Sequence, residues 1–311
     1  MVDVPALFAT IVAGIGIGAI YALVAMGFSL IYKVTGVLNF AQGQLALVGA
    51  YFVAIFAAPS IIWFVPAGAL PTLGGVVALV ATILVGVLLG VLLERAIFRF
   101  FIGEPVLSVI IVTLALGGIF SGFIQFLVGP NFRAYPESLL PNWSVPLPFG
   151  TEISGPFAIG VVLSLVVVIA LMVFFRYTVT GSILRAAASD QQAAMALGVS
   201  IERTIIIAWT LSITITAIGG ILLAMANGGA GFAIETTGII ILVAVVFGGL
   251  DSVPGAFLGA IVVGLLRELG RFYVEDFVGA GFAEILPLIF LLFIIVVKPY
   301  GLFGTERIER I

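Results

Sequence analysis

Two short polar interruptions in otherwise apolar segments carry the residues of this sequence that are best suited to contact a small polar solute. Residues 36–43 read GVLNFAQG and residues 248–255 read GGLDSVPG. Both fit the pattern G-x-L-[N/D]-x-x-x-G, which aligns Asn39 with Asp251. Paired interruptions of hydrophobic segments are typical of the solute pathway in a membrane protein. The candidate pathway residues are therefore Asn39, Gln42, Gly43, Asp251 and Gly255.

The same residues also have a purely structural interpretation. Asp251 can be a turn residue at an aqueous edge, where its carboxylate caps the helix that contains Gly255. Asn39 and Gln42 are open to the same two interpretations. The two interruptions can also be unrelated loops, because four matches in eight positions carry little weight in a chain with 38 glycines.

The residue types that catalysis usually requires are missing. The chain has no histidine and no cysteine, so it lacks an H-E-x-x-H zinc site and a histidine that could activate a serine. Neither of its lysines, Lys33 and Lys298, follows a glycine, so the G-x-x-x-x-G-K-[S/T] loop that binds ATP phosphates is also missing. We expect no catalytic residue, no metal ligand and no cofactor in this chain.

The composition indicates a protein dissolved in lipid. Of 311 residues, 63% are hydrophobic and only 9% are charged, against about 25% charged in soluble domains. A net charge of −3 gives no reason to expect nucleic acid. The first apolar run begins almost at Met1 without a basic leader and is too long for a signal peptide, so we interpret it as a retained span.

Charge-free runs of about 18 residues or more predict the membrane spans. We expect an all-α polytopic integral membrane protein of about eight transmembrane helices, some broken by glycine or proline, forming one transmembrane domain over residues 1–311. The six clear spans are Val4–Tyr32, Val37–Ala58, Thr72–Leu93, Pro105–Val128, Pro156–Phe175 and Thr204–Met225.

The carboxyl-terminal third is harder to divide. Thr236–Phe247 and Ala256–Leu266 flank the second interruption, and the first of these runs, with 12 residues, is too short to cross alone. They either form one broken crossing or fold back as a hairpin. We favour the hairpin, which places the tail after Ile285–Val297 inside the cell.

The positions of lysine and arginine predict the orientation. The loop Gly129–Gly155 and the amino terminus lie together on the external side. The cytoplasmic side carries Lys33, Arg95, Arg99, Arg176, Arg185 and Arg203.

A polar stretch, Arg176–Arg203, lies between the fifth and sixth spans. Its middle, Ile183–Leu197, has the pattern of a short amphipathic helix, which Ser182 can cap and Gly198 can end. Such a helix on the cytoplasmic side is suited to bind a soluble partner. The alternative is a connecting loop that happens to be helical.

Two further polar features inside or beside the spans have structural interpretations. We expect Gln125 to hydrogen-bond to a neighbouring helix. We expect Arg267, Glu268 and Arg271 to form a solvated helix end.

Four segments resemble LivH-type permeases of branched-chain amino-acid ABC importers. Residues 20–51, IYALVAMGFSLIYKVTGVLNFAQGQLALVGAY, resemble the opening of that family. Residues 248–264, GGLDSVPGAFLGAIVVG, and residues 298–304, KPYGLFG, resemble its late glycine-rich segment and its ending. Residues 185–203 resemble its cytoplasmic coupling helix, with matches at Arg185, Ala187, Ala194 and Gly198.

This sequence departs from the family pattern at two positions. Gln42 stands where many members have histidine, and Asp251 stands where glycine or another small residue is common. Both departures bear on the substrate, so the resemblance does not establish leucine as the ligand.

The resemblance implies a multi-pass permease subunit in the inner membrane. Its implied partners are cytoplasmic ATPase subunits that bind the ATP, a second permease of the M type, an external substrate-binding protein and the lipid bilayer. The implied substrates are branched-chain or related amino acids, with urea or short amides as alternatives. The competing function is an ATP-independent secondary transporter or channel for a small polar solute, in which the stretch Arg176–Arg203 would have no role.

Overall fold

The computed structural model describes residues 4–66, 68–189, 191–279, 281–298 and 301–304. Asp190 of the predicted coupling helix and Pro299 and Tyr300 of the KPYGLFG segment lie outside the described residues. In chain order the helices are α1 Val4–Thr35, α2 Gln42–Ala57, α3 Gly75–Ala96, α4 Val106–Val128, α5 Gly155–Tyr177, α6 Val179–Ser189, α7 Gln191–Ala196, α8 Ile201–Ala226, α9 Ala233–Gly248, α10 Val253–Tyr273, α11 Glu275–Val278 and α12 Phe282–Val297. The short strands are β1 Arg133–Ala134, β2 Ser144–Pro146, β3 Glu152–Ser154 and β4 Gly229–Ala230.

The architecture confirms an all-α polytopic membrane protein. Six helices of the described chain are long and apolar enough to cross a membrane, namely α1, α3, α4, α5, α8 and α10. Three more apolar helices, α2, α9 and α12, have 16 residues each. At 1.5 Å per residue these are about 24 Å long, shorter than a hydrocarbon core of about 30 Å. The expected count of about eight spans is therefore not reproduced as eight full-length helices.

The span predicted over Val37–Ala58 is helical only from Gln42. Gly36, with a φ of +70°, lies directly after α1, and such an angle favours glycine. The Asn39 side-chain oxygen then accepts a hydrogen bond from the Ala41 backbone N–H at 3.1 Å, which turns the chain into α2. A non-helical segment therefore enters the protein between α1 and α2.

Contacts between distant segments define two faces of the molecule. Arg99 pairs with Glu202, and the Lys33 ammonium donates to the Asp251 main-chain oxygen at 2.9 Å. We call this side the cationic face. On the opposite face β1 pairs with β4, and Phe8 packs edge-on against Phe149. This division agrees with the orientation predicted from the arginine positions.

The carboxyl-terminal third contains the expected hairpin. Helices α9 and α10 run antiparallel, because Gly255 packs on Gly248 and Gly259 packs on Ala244. Helix α12 then returns to the cationic face, where the Leu302 N–H donates to the Phe247 oxygen at 2.8 Å. The tail therefore begins on the same side as Lys33.

The expectation of a solvated helix end at Arg267, Glu268 and Arg271 holds for Arg271, which is exposed in the last turn of α10, but it is wrong for Arg267. Helix α10 continues through this position to Tyr273. The Arg267 guanidinium is half-buried, donates to the Tyr21 hydroxyl of α1 and forms an ion pair with Glu284 at 3.5 Å. An arginine next to the central helix is stabilised by these two partners and not by water alone.

Helix α1 forms the centre of the bundle, and glycines allow its closest contact. A Cβ added to Gly264 of α10 would lie 2.5 Å from the Gly14 oxygen and from the Gly18 Cα of α1. Small residues allow membrane helices to approach in this way, and the gain is van der Waals packing. The high glycine content therefore has a structural role in the contact between α1 and α10.

We predict that Gly264→Val destabilises the protein, because the added methyl groups force α1 and α10 apart. Overpacking of this kind costs about 1–3 kcal/mol. The matched control is Gly118→Val in α4, where an added Cβ meets no atom within 4 Å. Thermal denaturation in detergent should show a lower midpoint for the first variant and an unchanged midpoint for the second. Equal midpoints would contradict the packing assigned to Gly264.

Candidate functional site

A buried hydrogen-bond network occupies the break between α1 and α2. The Asn39 amide donates to the Gln42 side-chain oxygen at 2.7 Å, and the Gln42 amide donates to Ser212 at 3.1 Å and also to Thr216. The Ser212 hydroxyl donates to the Gly27 oxygen at 2.8 Å. Asn39 and Gln42 are both buried. The network joins α1, α2 and α8 through the polar groups of the break.

The network lies near the middle of the membrane. Ser212 is the twelfth of the 26 residues of α8, so about half of that helix lies on each side of it. Asn39 also lines a cavity of about 200 Å³ on the cationic side of the network. Its walls combine apolar groups such as Ile31, Val109 and Trp209 with the hydroxyl-bearing residue Thr113. The network therefore borders, through Asn39, a space on its cationic side.

Gly43 brings the start of α2 against the start of α9. A Cβ at Gly43 would collide with the Glu235 main-chain oxygen, and a Cβ at Gly238 would lie 2.7 Å from the Gly43 Cα. The Glu235 carboxylate accepts a hydrogen bond from the Ser121 hydroxyl of α4. The Gln44 side-chain oxygen is buried beside Gly117 and has no hydrogen-bond partner among the described residues.

The sequence analysis missed Glu235 and Gln44. Glu235 is the first charged residue after the charge-free run Thr204–Ile234 and directly precedes the apolar run Thr236–Phe247. A charge at the start of an apolar run was the signal that could have identified it. Gln44 follows the GVLNFAQG interruption by one residue, within the resembling segment. Helical periodicity alone gives no indication that these side chains point toward α4.

Asp251 and Gly255 lie apart from this network, in the tight turn between α9 and α10. The proposed cap of α10 by the Asp251 carboxylate is wrong, because the Ser252 hydroxyl accepts from the Gly255 N–H at 3.1 Å. Asp251 instead presents its main-chain oxygen to Lys33. A Cβ at Gly255 would collide with the Gly248 oxygen, which explains the glycine.

The five candidate pathway residues therefore fall into two groups. Asn39, Gln42 and Gly43 lie at mid-membrane, beside the first turn of α9. Asp251 and Gly255 follow the last turn of that helix. The two groups are therefore separated by the length of α9 between Glu235 and Gly248, which is 13 positions or about 20 Å. At both breaks one helix, α1 or α9, runs toward the cationic face and ends near it. The next helix, α2 or α10, runs back toward the opposite face. Their role as pathway residues stays a prediction.

The amphipathic stretch forms α6 and α7 on the cationic face. Helix α6 begins at Val179, four residues before the expected Ile183, because the Thr178 hydroxyl accepts from the Gly181 N–H at 2.9 Å. Ser182 is therefore not the cap. It lies inside α6, where its hydroxyl accepts from Arg185 at 3.2 Å.

The far end of the stretch agrees with the expectation. Gly198 has a φ of +84° directly after α7, and the Val199 N–H donates to the Ala194 oxygen at 3.0 Å. A glycine in the left-handed region is the usual end of a helix.

The four candidate coupling residues face two ways. Ala187 and Ala194 are buried together with Leu184, so they attach the segment to the bundle. Arg185 and Gly198 are exposed. The outward face also presents apolar side chains that the sequence analysis did not single out, and Leu197 is 87% exposed beside Met195 at 52%. Outside the spans, exposed apolar groups of this kind mark an interaction surface.

The loop on the opposite face is attached to the end of α2. The Tyr135 hydroxyl donates to the Ala50 oxygen at 2.6 Å, and burial raises the pKa of Tyr135 well above its ordinary value. The Tyr51 hydroxyl donates to the Asn131 oxygen at 3.4 Å. The loop Gly129–Gly155 is therefore connected to the helix that starts at Gln42.

Among the described residues, Gln125 does not make the expected bond to a neighbouring helix. Its side chain is exposed on α4. This side chain has no access to the interior, because Ile124 and Val128 occupy the buried side of the helix.

The fold and the site together define a class of protein: a multi-pass membrane protein with a polar break at mid-membrane and an amphipathic helical segment on its cationic face. The chain belongs to the family described as the permease component of branched-chain amino acid transport systems, whose family model matches residues 10–297. It is therefore a permease subunit of an ATP-binding cassette importer in the inner membrane, and an ATP-independent channel or transporter is not favoured.

Curated relatives align over nearly the whole chain. The high-affinity branched-chain amino acid transport system permease protein LivH of Escherichia coli (strain K12) is 25% identical over 304 residues, covering 96% of each chain. The permease protein BraD of Pseudomonas aeruginosa is 26% identical over 311 residues, covering 97% of each. The probable permease LivH of Methanocaldococcus jannaschii is 26% identical, covering 91% of this chain and 88% of that protein. No solved structure matches the chain.

Membership in a permease family bears on two further expectations. Such a permease is a transport subunit and not itself an enzyme. Permeases of ATP-binding cassette importers work with an ATPase and a binding protein. The exposed side of α6 and α7 is the candidate surface of this chain for contact with the ATPase.

We predict that Gln42→Leu destabilises the bundle, because it leaves Ser212, Thr216 and Asn39 without their shared partner. A buried polar group that loses its partner costs about 1–3 kcal/mol. The control is Gln125→Leu, which makes the same change at an exposed position. A lower denaturation midpoint is expected for Gln42→Leu only. If both variants melt together with the parent, the network does not hold the break.

Proposed function

We propose that this chain forms the membrane pathway for branched-chain amino acids in its importer. The curated relatives that align with over 90% of the chain carry that substrate in their names. The cavity below Asn39 supports the proposal, because its lining combines many apolar side chains with the polar residues Thr35, Asn39, Glu104 and Thr113. A solute with an aliphatic side chain and a polar head is suited to such a lining, whereas urea and short amides offer no group for the apolar walls.

The remaining pathway assignments follow from the positions of the two breaks. The mid-membrane group Asn39, Gln42 and Gly43 borders the solute pathway. Asp251 and Gly255 form the turn that changes position on the cationic face when the pathway opens. Both groups contact α9, so a shift of that helix alters both breaks together.

The partner subunits meet the chain on opposite faces. An ATPase docks on the exposed side of α6 and α7, where Arg185, Met195 and Leu197 face water. ATP is bound by that ATPase, and this chain needs no cofactor of its own. The loop Gly129–Gly155 receives the external binding protein. A second permease, of the M type, completes the pathway as a heterodimer.

The single observation that carries the mechanism is the set of contacts between α6 and the bundle. Helix α6 contacts α1, α5 and α8. Helices α1 and α8 also contribute Gly27, Ser212 and Thr216 to the network around Gln42. Displacement of α6 as a rigid body, driven by closure of the ATPase dimer, therefore shifts the helices that hold the mid-membrane break.

We predict that Arg185→Glu uncouples ATP hydrolysis from uptake, because it reverses the charge on the exposed side of α6 where the ATPase is proposed to dock. Leucine uptake into proteoliposomes that contain the complete importer should fall at least about tenfold, which corresponds to about 1.4 kcal/mol of coupling free energy. Membrane insertion should be unchanged, because the side chain is exposed. Arg95→Glu on the same face, outside α6 and α7, is the control. Normal uptake by the Arg185→Glu importer would refute the docking role.

The substrate is tested in the same vesicles with the unmodified chain. Labelled leucine should enter in an ATP-dependent manner, and excess isoleucine or valine should compete with it. Competition by urea with no competition by these amino acids would assign the pathway to a small amide.

A further inference from the structure

A second cleft lies on the cationic face, away from the mid-membrane network. It has a volume of about 460 Å³ and is formed by the ends of α1 and α5, by α6 and by the start of α10. Three cationic side chains line it: Lys33, Arg176 and Arg185. The proposed ATPase docking uses Arg185, but neither docking nor the pathway accounts for Lys33 and Arg176 beside it.

The three cationic side chains give the cleft a positive charge that a bound anion would balance. No acidic side chain is among the described residues that line it. The nearest acidic residue, Asp251, accepts from the Lys33 ammonium with its main-chain oxygen, and its carboxylate also attracts Lys33. One carboxylate against three cations still leaves a net positive charge. Three like charges beside a bilayer repel one another more strongly than they would in water, because the effective dielectric constant is lower there. An anion placed among them would remove this repulsion.

The opposite wall of the cleft is apolar and extends into the membrane. Ile169, Met172 and Val173 of α5 line it, and their exposed fractions are 54%, 44% and 48%. Ile169 lies seven residues before Arg176, which places it about 10 Å deeper along the helix axis. The cleft therefore begins among charges at the membrane surface and continues along an apolar wall that faces hydrocarbon.

We propose that this cleft binds an anionic phospholipid of the inner leaflet. The phosphate lies among Lys33, Arg176 and Arg185, and one acyl chain lies along Ile169, Met172 and Val173. Basic pockets between helices on the cytoplasmic side bind anionic lipid head groups in this way. An acidic side chain of the ATPase or a free phosphate ion would satisfy the charges but would leave the apolar wall without a partner.

The bound lipid has a structural consequence for coupling. It contacts α6, which bears Arg185, and the start of α10 at Val253 and Pro254. It therefore bridges the docking segment and the turn between α9 and α10. This site does not depend on which solute the importer carries.

Native mass spectrometry of the complete importer tests the proposal. The purified complex in detergent is titrated with phosphatidylglycerol or with phosphatidylcholine. Arg176→Gln removes one lining cation, and Arg95→Gln removes a cation in the last turn of α3, on the same face but outside the cleft. Val173→Trp fills the apolar wall and leaves the charges in place.

We expect phosphatidylglycerol to bind in preference to phosphatidylcholine. Arg176→Gln should weaken its binding about fivefold, which corresponds to about 1 kcal/mol for one cation near the membrane surface. Val173→Trp should weaken it as well, and Arg95→Gln should leave it unchanged. Equal binding of the two lipids, or equal losses in the two arginine variants, would overturn the proposal. Displacement of the lipid by inorganic phosphate with no effect of Val173→Trp would assign the site to a soluble anion.

Discussion

The absence of water from the bilayer core is the constraint on which the rest of this structure depends. A backbone that leaves the helical path at membrane depth must have its polar groups satisfied by the protein. Between α1 and α2 the backbone N–H groups of Val37, Phe40 and Ala41 donate to the Thr35 hydroxyl, the Thr113 hydroxyl and the Asn39 side-chain oxygen. Asn39 is held in turn by Gln42, whose amide donates to hydroxyl groups of α8, far away in sequence. Irregular backbone at the centre of the protein is thus a property of four helices together, α1, α2, α4 and α8.

The same constraint distinguishes the polar groups of the interior, whose hydrogen bonds depend on the arrangement of the helices, from the groups at the surface, which can bind other proteins. Polar groups inside the membrane-spanning region have only one another as hydrogen-bond partners, so a movement of one helix requires a movement of the helices bonded to it. Groups outside the spans have water as an alternative partner and are free to exchange it for another protein. Arg185 and Leu197 belong to this second kind. A membrane protein driven by a separate ATPase needs both kinds, joined by packed helices.

Much of this was predictable from the sequence, because charge-free length and arginine position reflect the bilayer directly. The long spans, the hairpin of α9 and α10 and the helix end at Gly198 follow from local patterns. The predictions that were wrong concern which residues form hydrogen bonds with each other. Thr178 caps α6 in place of Ser182, and Ser252 caps α10 in place of Asp251, because neighbouring hydroxyls compete for the same N–H groups. Gln42 bonds to Ser212, Arg267 to Tyr21 and Glu235 to Ser121; each pair is more than 100 positions apart, and no local pattern contains such a pair.

The absence of cysteine from the chain permits the most direct test of an energy input at α6 and α7. Leu197→Cys introduces a single thiol at the most exposed apolar position of that segment. A membrane-impermeant maleimide should label it from the cytoplasmic side only, and the bound ATPase should protect it. Labelling from the external side, or equal labelling with and without the ATPase, would contradict the account.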